Sequence, residues 1–127
     1  MFAVLHHVPG KGQRLNLVRE ICSLLDKGTR LYLSVWQVQK SPRLVSRLVP
    51  WSEVGIDGSQ VDEGDVLMDW RAEAGGKPGE KGIRYVHIFT EGELSDLAGV
   101  GGFTVKECFY SDGREGNLGL YQVWSKN

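Results

Sequence analysis

Two adjacent histidines, His6 and His7, are the first residues in the chain whose type and position suggest chemistry. They follow the apolar run at residues 2–5, which predicts a short strand buried on both faces. In open α/β sheets, ligands bind at the carboxyl ends of the strands. Adjacent residues leaving a strand point in opposite directions, so joint metal chelation is not expected. One histidine can face a ligand while the other packs, although a structural role for each is the simpler interpretation.

A second group, Arg84, Tyr85 and His87, stands just before a helix start. An arginine beside aromatic side chains can bind phosphate and stack on a base, as recognition of single-stranded RNA requires. The alternative is an edge strand with one buried face, and the local pattern favours that alternative.

Motifs for metals and phosphate loops are missing from the sequence. Cys22 and Cys108 lack CxxC spacing, so we predict no metal site and expect both to be small core residues in a reducing compartment. The glycines near residues 10–12 and 99–102 do not form the G-x-G-x-x-G fingerprint. Neither a Walker motif nor G-x-S-x-G is present.

The charges are unevenly distributed although the formal net charge is only −1. Residues 27–52 carry basic charges alone, and residues 53–65 carry acidic charges alone. The basic residues of the first stretch are Lys27, Arg30, Lys40, Arg43 and Arg47. Such a strip can contact RNA phosphates, but chance clustering on a solvated surface is the simpler interpretation.

The pattern of apolar residues predicts an α/β domain. A helix at residues 13–27, ending at Gly28, and a strand at 30–38 complete a βαβ unit over residues 1–39, with an interior parallel second strand. Residues 40–82 form an irregular, proline-interrupted insertion that ends in a glycine-rich linker at 75–82. Residues 83–127 hold an extended segment, a helix begun by the capping box Thr90–Glu93, and an antiparallel pair at 103–110 and 118–125.

Length and hydropathy indicate one compact domain in the cytoplasm, with the nucleus as an alternative. The 127 residues suffice for one domain but not two. No apolar run approaches the roughly 20 residues of a membrane span, so no membrane partner is expected. The first residues lack the features of a signal peptide.

Five segments of the chain, in the order in which they occur, resemble the second half of the tRNA wobble-uridine carboxymethyl methyltransferases. The matching segments are Ala-Val-Leu-His-His at 3–7, Leu-Tyr-Leu-Ser-Val-Trp at 31–36, Asp-Val-Leu-Met-Asp-Trp at 65–70, Arg-Tyr-Val-His-Ile-Phe-Thr-Glu-Gly-Glu-Leu at 84–94, and Gly-Asn-Leu at 116–118. The block at 84–94 is the most specific. Met68-Asp69, Val86 and Leu118 depart from the family's Val-Pro, Tyr and Trp.

The resemblance implies the C-terminal half of a Rossmann-like class I methyltransferase that uses S-adenosylmethionine. The reaction it implies is methylation of the carboxylate of 5-carboxymethyluridine in tRNA. The residues that the resemblance places in the site are His6, His7 and Arg84 as catalytic residues; Leu5 and His6 at the cofactor; and Trp36, Asp65, Trp70, Tyr85, His87 and Asn117 at the substrate.

The family's cofactor-binding half has no counterpart in this sequence. The glycine-rich loop after the first strand and the acidic residue ending the second are missing, so this chain by itself is expected to be inactive. The resemblance implies two partners, tRNA and a small zinc-binding activator protein that adds a strand beside the methyltransferase sheet. Two alternatives remain open: a non-catalytic RNA- or partner-binding module, and a methyltransferase with another substrate.

Overall fold

The computed structural model describes residues 1–71 and 81–127, and it describes the side chains in these ranges except those of residues 70, 71 and 81. The predicted linker at 75–82 therefore lies, up to residue 80, outside the described residues. The described helices and strands are α1 (Lys11–Leu24), β1 (Arg30–Trp36), α2 (Pro42–Val45), β2 (Leu48–Val49), β3 (Asp65–Arg71), β4 (Lys81–His87), α3 (Glu91–Val100), β5 (Phe103–Ser111) and β6 (Gly119–Lys126). Short 3₁₀ turns lie between them, including one at Leu5–His7.

The first sheet has the strand order β1-β6-β5, with β6 antiparallel to both neighbours. The predicted antiparallel pair is thus confirmed, and the last strand lies between two strands that run parallel to each other. Helices α1 and α3 cover one face of this sheet. The main core between them contains Leu5, Val18, Leu33, Val35, Phe89, Leu94, Ala98, Phe103, Leu120 and Trp124.

Helix α3 begins as its capping box predicts. The Thr90 hydroxyl oxygen accepts a hydrogen bond from the Glu93 N–H at 3.1 Å, which satisfies one of the amides left open at a helix start. The Glu93 carboxylate takes another partner, His87, whose Nε2 lies 2.6 Å from Oε1. This contact ties the start of α3 to β4, the strand that ends at His87.

The insertion is more regular than predicted, because β2, β3 and β4 form a second antiparallel sheet. This sheet extends to His87, beyond the predicted end of the insertion at residue 82. A smaller core of Val38, Met68 and Val86 packs against Trp36 and Leu44 and joins the second sheet to the end of β1.

The predicted strand at residues 2–5 is wrong. Phe2 forms a single parallel bridge to Ser34, Ala3 has a positive φ of 54°, and the chain then enters the 3₁₀ turn. Phe2 and Val4 are exposed while Leu5 is buried, so the run is not covered on both faces. The parallel bridge, α1 and β1 still give a βαβ connection in rudimentary form.

Three other expectations need correction. Helix α1 ends at Leu24 rather than near Lys27, because Leu25 is extended and its N–H bonds to the Cys22 carbonyl. Strand β1 is not an interior parallel strand, since one edge pairs antiparallel with β6 and the other makes only the Phe2 bridge. Cys108 is exposed, whereas Cys22 packs against the main core.

No helix in the described residues is long and apolar enough to cross a membrane.

Candidate active site

The histidine pair forms an aromatic cluster with Trp36, the last residue of β1. The ring centroids of His6 and His7 lie 4.2 Å apart, and those of His6 and His7 lie 4.7 Å and 5.0 Å from Trp36. Because the pair sits in a 3₁₀ turn, the two rings do not point in opposite directions as a strand would require. The cluster stands at the carboxyl end of β1, where α/β sheets bind ligands.

His6 is fully buried and neutral in the folded chain. Its Nδ1 accepts a hydrogen bond from the Trp36 N–H at 3.3 Å, so Nε2 carries the proton. Nε2 has no hydrogen-bond partner among the described residues. Burial, then the charges of His7 and Arg84, lowers the pKa of His6 from 6.5 to about 3. The Nε2–H group of His6 is therefore a buried hydrogen-bond donor that no described residue accepts from.

His7 is oriented by the second sheet. Its Nδ1 donates to the Tyr85 carbonyl oxygen at 3.1 Å, which leaves the lone pair of Nε2 as an acceptor. The hydrogen bond ties the 3₁₀ turn to β4. His7 is only partly buried, so its acceptor can meet a ligand.

Arg84 lies against the opposite side of the same cluster. Its guanidinium carbon is 5.7 Å from the centroid of the Trp36 ring, in a cation–π contact. A small cavity of about 110 Å³ lies beside it, lined by Trp36, Leu44, Arg47, Met68, Asp69 and Arg84. Two arginines and one carboxylate line a space of this size, so the cavity suits a small anionic group.

A second polar cluster occupies the other face of β4. The Tyr85 hydroxyl donates to Asp65 Oδ1 at 2.6 Å, and His87 Nδ1 lies 2.6 Å from the same oxygen. The other ring nitrogen of His87 is held by Glu93, so both nitrogens face carboxylates. Both contacts are donated by the ring only when it is the imidazolium ion. His87 is 1% exposed, and this cluster joins β3, β4 and α3.

Arg14 of α1 extends this cluster. Its Nη1 donates to the Tyr85 hydroxyl and to the Val8 carbonyl, each at 3.0 Å, and its guanidinium lies over the Phe89 ring. Burial and the hydrogen bond to Asp65 raise the pKa of Tyr85 to about 12. Burial of Asp65 would raise its pKa, but hydrogen bonds from Tyr85, His87 and the Asp62 N–H outweigh it and lower the value.

The structure thus separates the predicted site residues into groups. His6, His7, Trp36 and Arg84 come together, whereas Asp65, Tyr85 and His87 form the second cluster. Asn117 lies elsewhere, in the turn between β5 and β6. Leu5 is part of the main core. The Trp70 side chain lies outside the described side chains.

Four residues around these clusters were not predicted as site residues: Arg14, Arg47, Asp69 and Glu93. Arg14 precedes Val18 and Cys22 at a spacing of four, so the apolar stripe of α1 could have been extended back to it. Glu93 was recognised only as a helix-capping residue. Arg47 was noted only as a member of the basic strip, and Asp69 carries no local signal, since the two meet through pairing of β2 with β3.

In the described part of the chain, no group of three or more His, Cys, Asp or Glu side chains is placed to hold a metal ion.

No protein-family model matches the chain, and no curated protein matches it in sequence. Solved structures do. An S-adenosylmethionine (SAM)-dependent methyltransferase from Methanosarcina mazei is 25% identical with a TM-score of 0.66, and the match covers 99% of this chain and 57% of that one. The CcbJ methyltransferase of Streptomyces caelestis gives 15% identity and a TM-score of 0.62, over 99% of this chain and 59% of that one.

A third structure is the Burkholderia thailandensis 1,6-didemethyltoxoflavin-N1-methyltransferase with bound 1,6-didemethyltoxoflavin and S-adenosylhomocysteine. It is 18% identical with a TM-score of 0.58, over 98% of this chain and 41% of that one. The chain therefore has the α/β fold of these methyltransferases but spans only about half the length of each.

The residues predicted to contact the cofactor supply little of a site for it. The side chains of Leu5 and His6 are both 0% exposed, so neither offers a surface to a ligand in this arrangement. The Nε2–H of His6 is a buried donor without a hydrogen-bond partner among the described residues. The cofactor contacts predicted for Leu5 and His6 therefore stay predictions.

Proposed function

We propose that this chain forms the substrate-side half of a SAM-dependent methyltransferase. The observation that carries the proposal is the cluster of His7, Trp36 and Arg84 at the carboxyl end of β1. It stands in a fold shared with solved methyltransferases that are about twice as long. Bound SAM would supply the methyl group, and the residues of this chain would hold the acceptor.

The acceptor we propose is a carboxylate, and specifically that of 5-carboxymethyluridine at the wobble position of a tRNA. A carboxylate is already a nucleophile, so no general base has to remove a proton. The protein has to fix its position and exclude water. The cavity beside Arg84 and Arg47 suits a small anion, and the resemblance of residues 84–94 supports this substrate.

In this proposal Arg84 holds the carboxylate by charge-assisted hydrogen bonds, while the Trp36 ring fixes the guanidinium plane. The Nε2 atom of His7 accepts a hydrogen bond from the uridine. Asp65, Tyr85 and His87 act as positioning residues, because their polar groups already bind one another and they set the direction of β4. Arg84 and Tyr85 are neighbours on that strand.

A different substrate is the second candidate function. The didemethyltoxoflavin enzyme is named for a small molecule. So is an amino pentose methyltransferase from Micromonospora echinaspora. It is 17% identical to this chain with a TM-score of 0.53, over 100% of this chain and 56% of that one. A small acid that fills the Arg84 cavity would need no RNA contact. A non-catalytic RNA- or partner-binding module would need neither cofactor nor turnover.

The partner we propose is a small zinc-binding activator protein that adds a strand beside Phe2. The support is the geometry at that edge, because Phe2 makes only one bridge, to Ser34, and its side chain is 60% exposed. An uncovered apolar edge favours pairing with another chain.

The test is calorimetric titration of SAM into this chain alone, and into this chain with the zinc-binding activator. We expect no binding in either case, because the cofactor half is missing. When the cofactor half is supplied, we expect binding and formation of a methyl ester on tRNA that carries 5-carboxymethyluridine. Binding to the chain alone would contradict the proposal of an incomplete site. Retained RNA or partner binding without any SAM binding, even when the cofactor half is supplied, would favour the non-catalytic module.

A further inference from the structure

A basic pocket lies beside the candidate active site, on the far side of α2. Its volume is about 420 Å³, and its lining includes Lys40, Arg43, Arg114, Glu115 and Asn117. Three cations face one carboxylate, so the side chains around the pocket carry a net charge of +2, although the chain as a whole has a net charge of −1. The pocket therefore favours an anion.

The three cations are available to a ligand. Lys40, Arg43 and Arg114 are exposed, and none forms an ion pair in the described part of the chain. Lys40 Nζ lies 5.3 Å from the centroid of the Tyr110 ring. The tyrosine is itself 40% exposed, so a face on which a nucleobase could stack adjoins the charges.

The β5–β6 turn that carries Arg114 and Asn117 has a defined shape. Gly113 has a φ of 74°, and a Cβ at this position would lie 2.9 Å from the Leu118 side chain. Only glycine fits there without strain. The turn is also held to the end of β1, because the Gln37 N–H donates to the Leu118 carbonyl at 2.7 Å. The pocket is therefore a built feature of the fold.

Helix α2 links this pocket to the Arg84 cavity. Arg43 lines the basic pocket, and the next residue, Leu44, lines the cavity beside Arg84. Because adjacent residues line the two spaces, a ligand that contacts both would carry an anionic group in the cavity and further negative charges along its chain. An RNA nucleotide with adjacent phosphates has that form.

We propose that Lys40, Arg43 and Arg114 bind the phosphodiester backbone of RNA next to the modified nucleotide. The inference rests on the proposed function, in that it assigns the RNA contacts of the same site. A net negative charge on the whole chain does not prevent such binding, since the contact depends on local charge.

In the experiment the chain is titrated into a fluorescently labelled RNA stem-loop, and the fluorescence anisotropy is measured over a range of NaCl concentrations. The test variant combines Lys40→Ala, Arg43→Ala and Arg114→Ala. The control variant combines Lys11→Ala, Arg19→Ala and Lys106→Ala, which are exposed cations outside both the pocket and the basic strip at residues 27–52. Both variants change the net charge by the same amount, and circular dichroism checks their folding.

We expect the test variant to lose affinity and its log–log salt slope to fall by about 2, since each phosphate contact on a single strand contributes about 0.7. The control should keep the wild-type slope. Equal slopes for the two variants, or no RNA binding by the wild type, would overturn the proposal. So would displacement of RNA by inorganic phosphate far more strongly than by chloride at equal ionic strength, because that marks a site for free phosphate.

The outcome is separate from that of the proposed function. SAM binding and methyl transfer to a small carboxylic acid, both measured with the cofactor half present, do not require the basic pocket. If the test variant loses RNA binding but keeps SAM binding and methyl transfer to the small acid, the result supports the role of the basic pocket in RNA binding. A methyltransferase that acts on small acids and binds no RNA would overturn the RNA site and the tRNA acceptor, but not the proposal that the chain is half of a SAM-dependent methyltransferase.

Discussion

His6 provides a test of protonation at the scale of one residue. The folded chain protonates this ring only near pH 3, whereas an unfolded histidine takes up its proton near 6.5. Between these values the unfolded state binds more protons, so the free energy of unfolding decreases as the pH falls. The contribution is about 1.4 kcal/mol per pH unit. Above pH 6.5 the His6 ring is neutral in the folded and the unfolded state, so the pH dependence that it contributes disappears.

The variant His6→Asn keeps an acceptor near the Nδ1 position for the Trp36 N–H but cannot titrate. We expect its free energy of unfolding, measured with urea, to depend less on pH below 6.5 than that of the wild type. Carboxylates contribute equally to both proteins, so the difference between the two curves isolates His6. Parallel curves would show that His6 is not desolvated.

Arg84 provides a test of chemistry at the same scale. Arg84→Ala, assayed with the cofactor half present, should lower kcat/KM for methyl transfer by roughly 10- to 100-fold. That is the loss of a charge-assisted hydrogen bond worth about 1.5–3 kcal/mol. Arg84→Lys keeps the charge without the planar fork and should recover only part of the activity. Wild-type rates for the alanine variant would remove Arg84 from the mechanism.

Gly99 in α3 and Gly101, the residue that follows the helix, test the packing between elements. A Cβ at Gly101 would clash with Val18 Cγ1 of α1, whereas a Cβ at Gly99 would meet nothing within 4 Å. We expect Gly101→Ala to destabilise the chain by about 1–3 kcal/mol through overpacking. Gly99→Ala should be neutral or stabilising by up to about 1 kcal/mol, since alanine favours the helix.

Thermal unfolding followed by circular dichroism measures both variants. A similar loss of stability in the two would mean that α1 and α3 do not meet at Gly101 as described. The same contact also fixes the polar cluster on β4, because Arg14 lies on α1 and Glu93 on α3.

At the scale of the whole molecule, one face of the first sheet carries exposed aromatic side chains. Phe109 and Tyr121 stack with ring centroids 5.1 Å apart, and Phe2 lies 6.1 Å from Tyr121. Phe2, Tyr32 and Phe109 are all exposed. An exposed aromatic patch of this kind favours association.

We expect sedimentation velocity to detect concentration-dependent self-association of the isolated chain, and Phe109→Thr to reduce it. The control is Tyr110→Thr, because adjacent strand residues project to opposite faces and Tyr110 is similarly exposed. Equal association of both variants would place the contact elsewhere.

The amino-acid sequence alone determined the elements whose signals are local. Thr90 and Glu93 predict the start of α3 because both capping groups lie within one helical turn. The polar, glycine-containing link at 111–117 predicts the antiparallel pair. His6 and His7 were candidates because they follow the apolar run at residues 2–5, but that run is not a strand, and Trp36 was a candidate only through the resemblance.

Only the tertiary structure decided which candidates meet. Asp65 and His87 are 22 residues apart and share a hydrogen bond because β3 and β4 pair in one register. The register also divides neighbours, since Arg84 faces Trp36 while Tyr85 faces Asp65. Residues 2–5 have the composition of a buried strand, but a strand forms only where another strand supplies hydrogen bonds on its edge. Long-range pairing is encoded by the whole chain, so no local pattern could predict these outcomes.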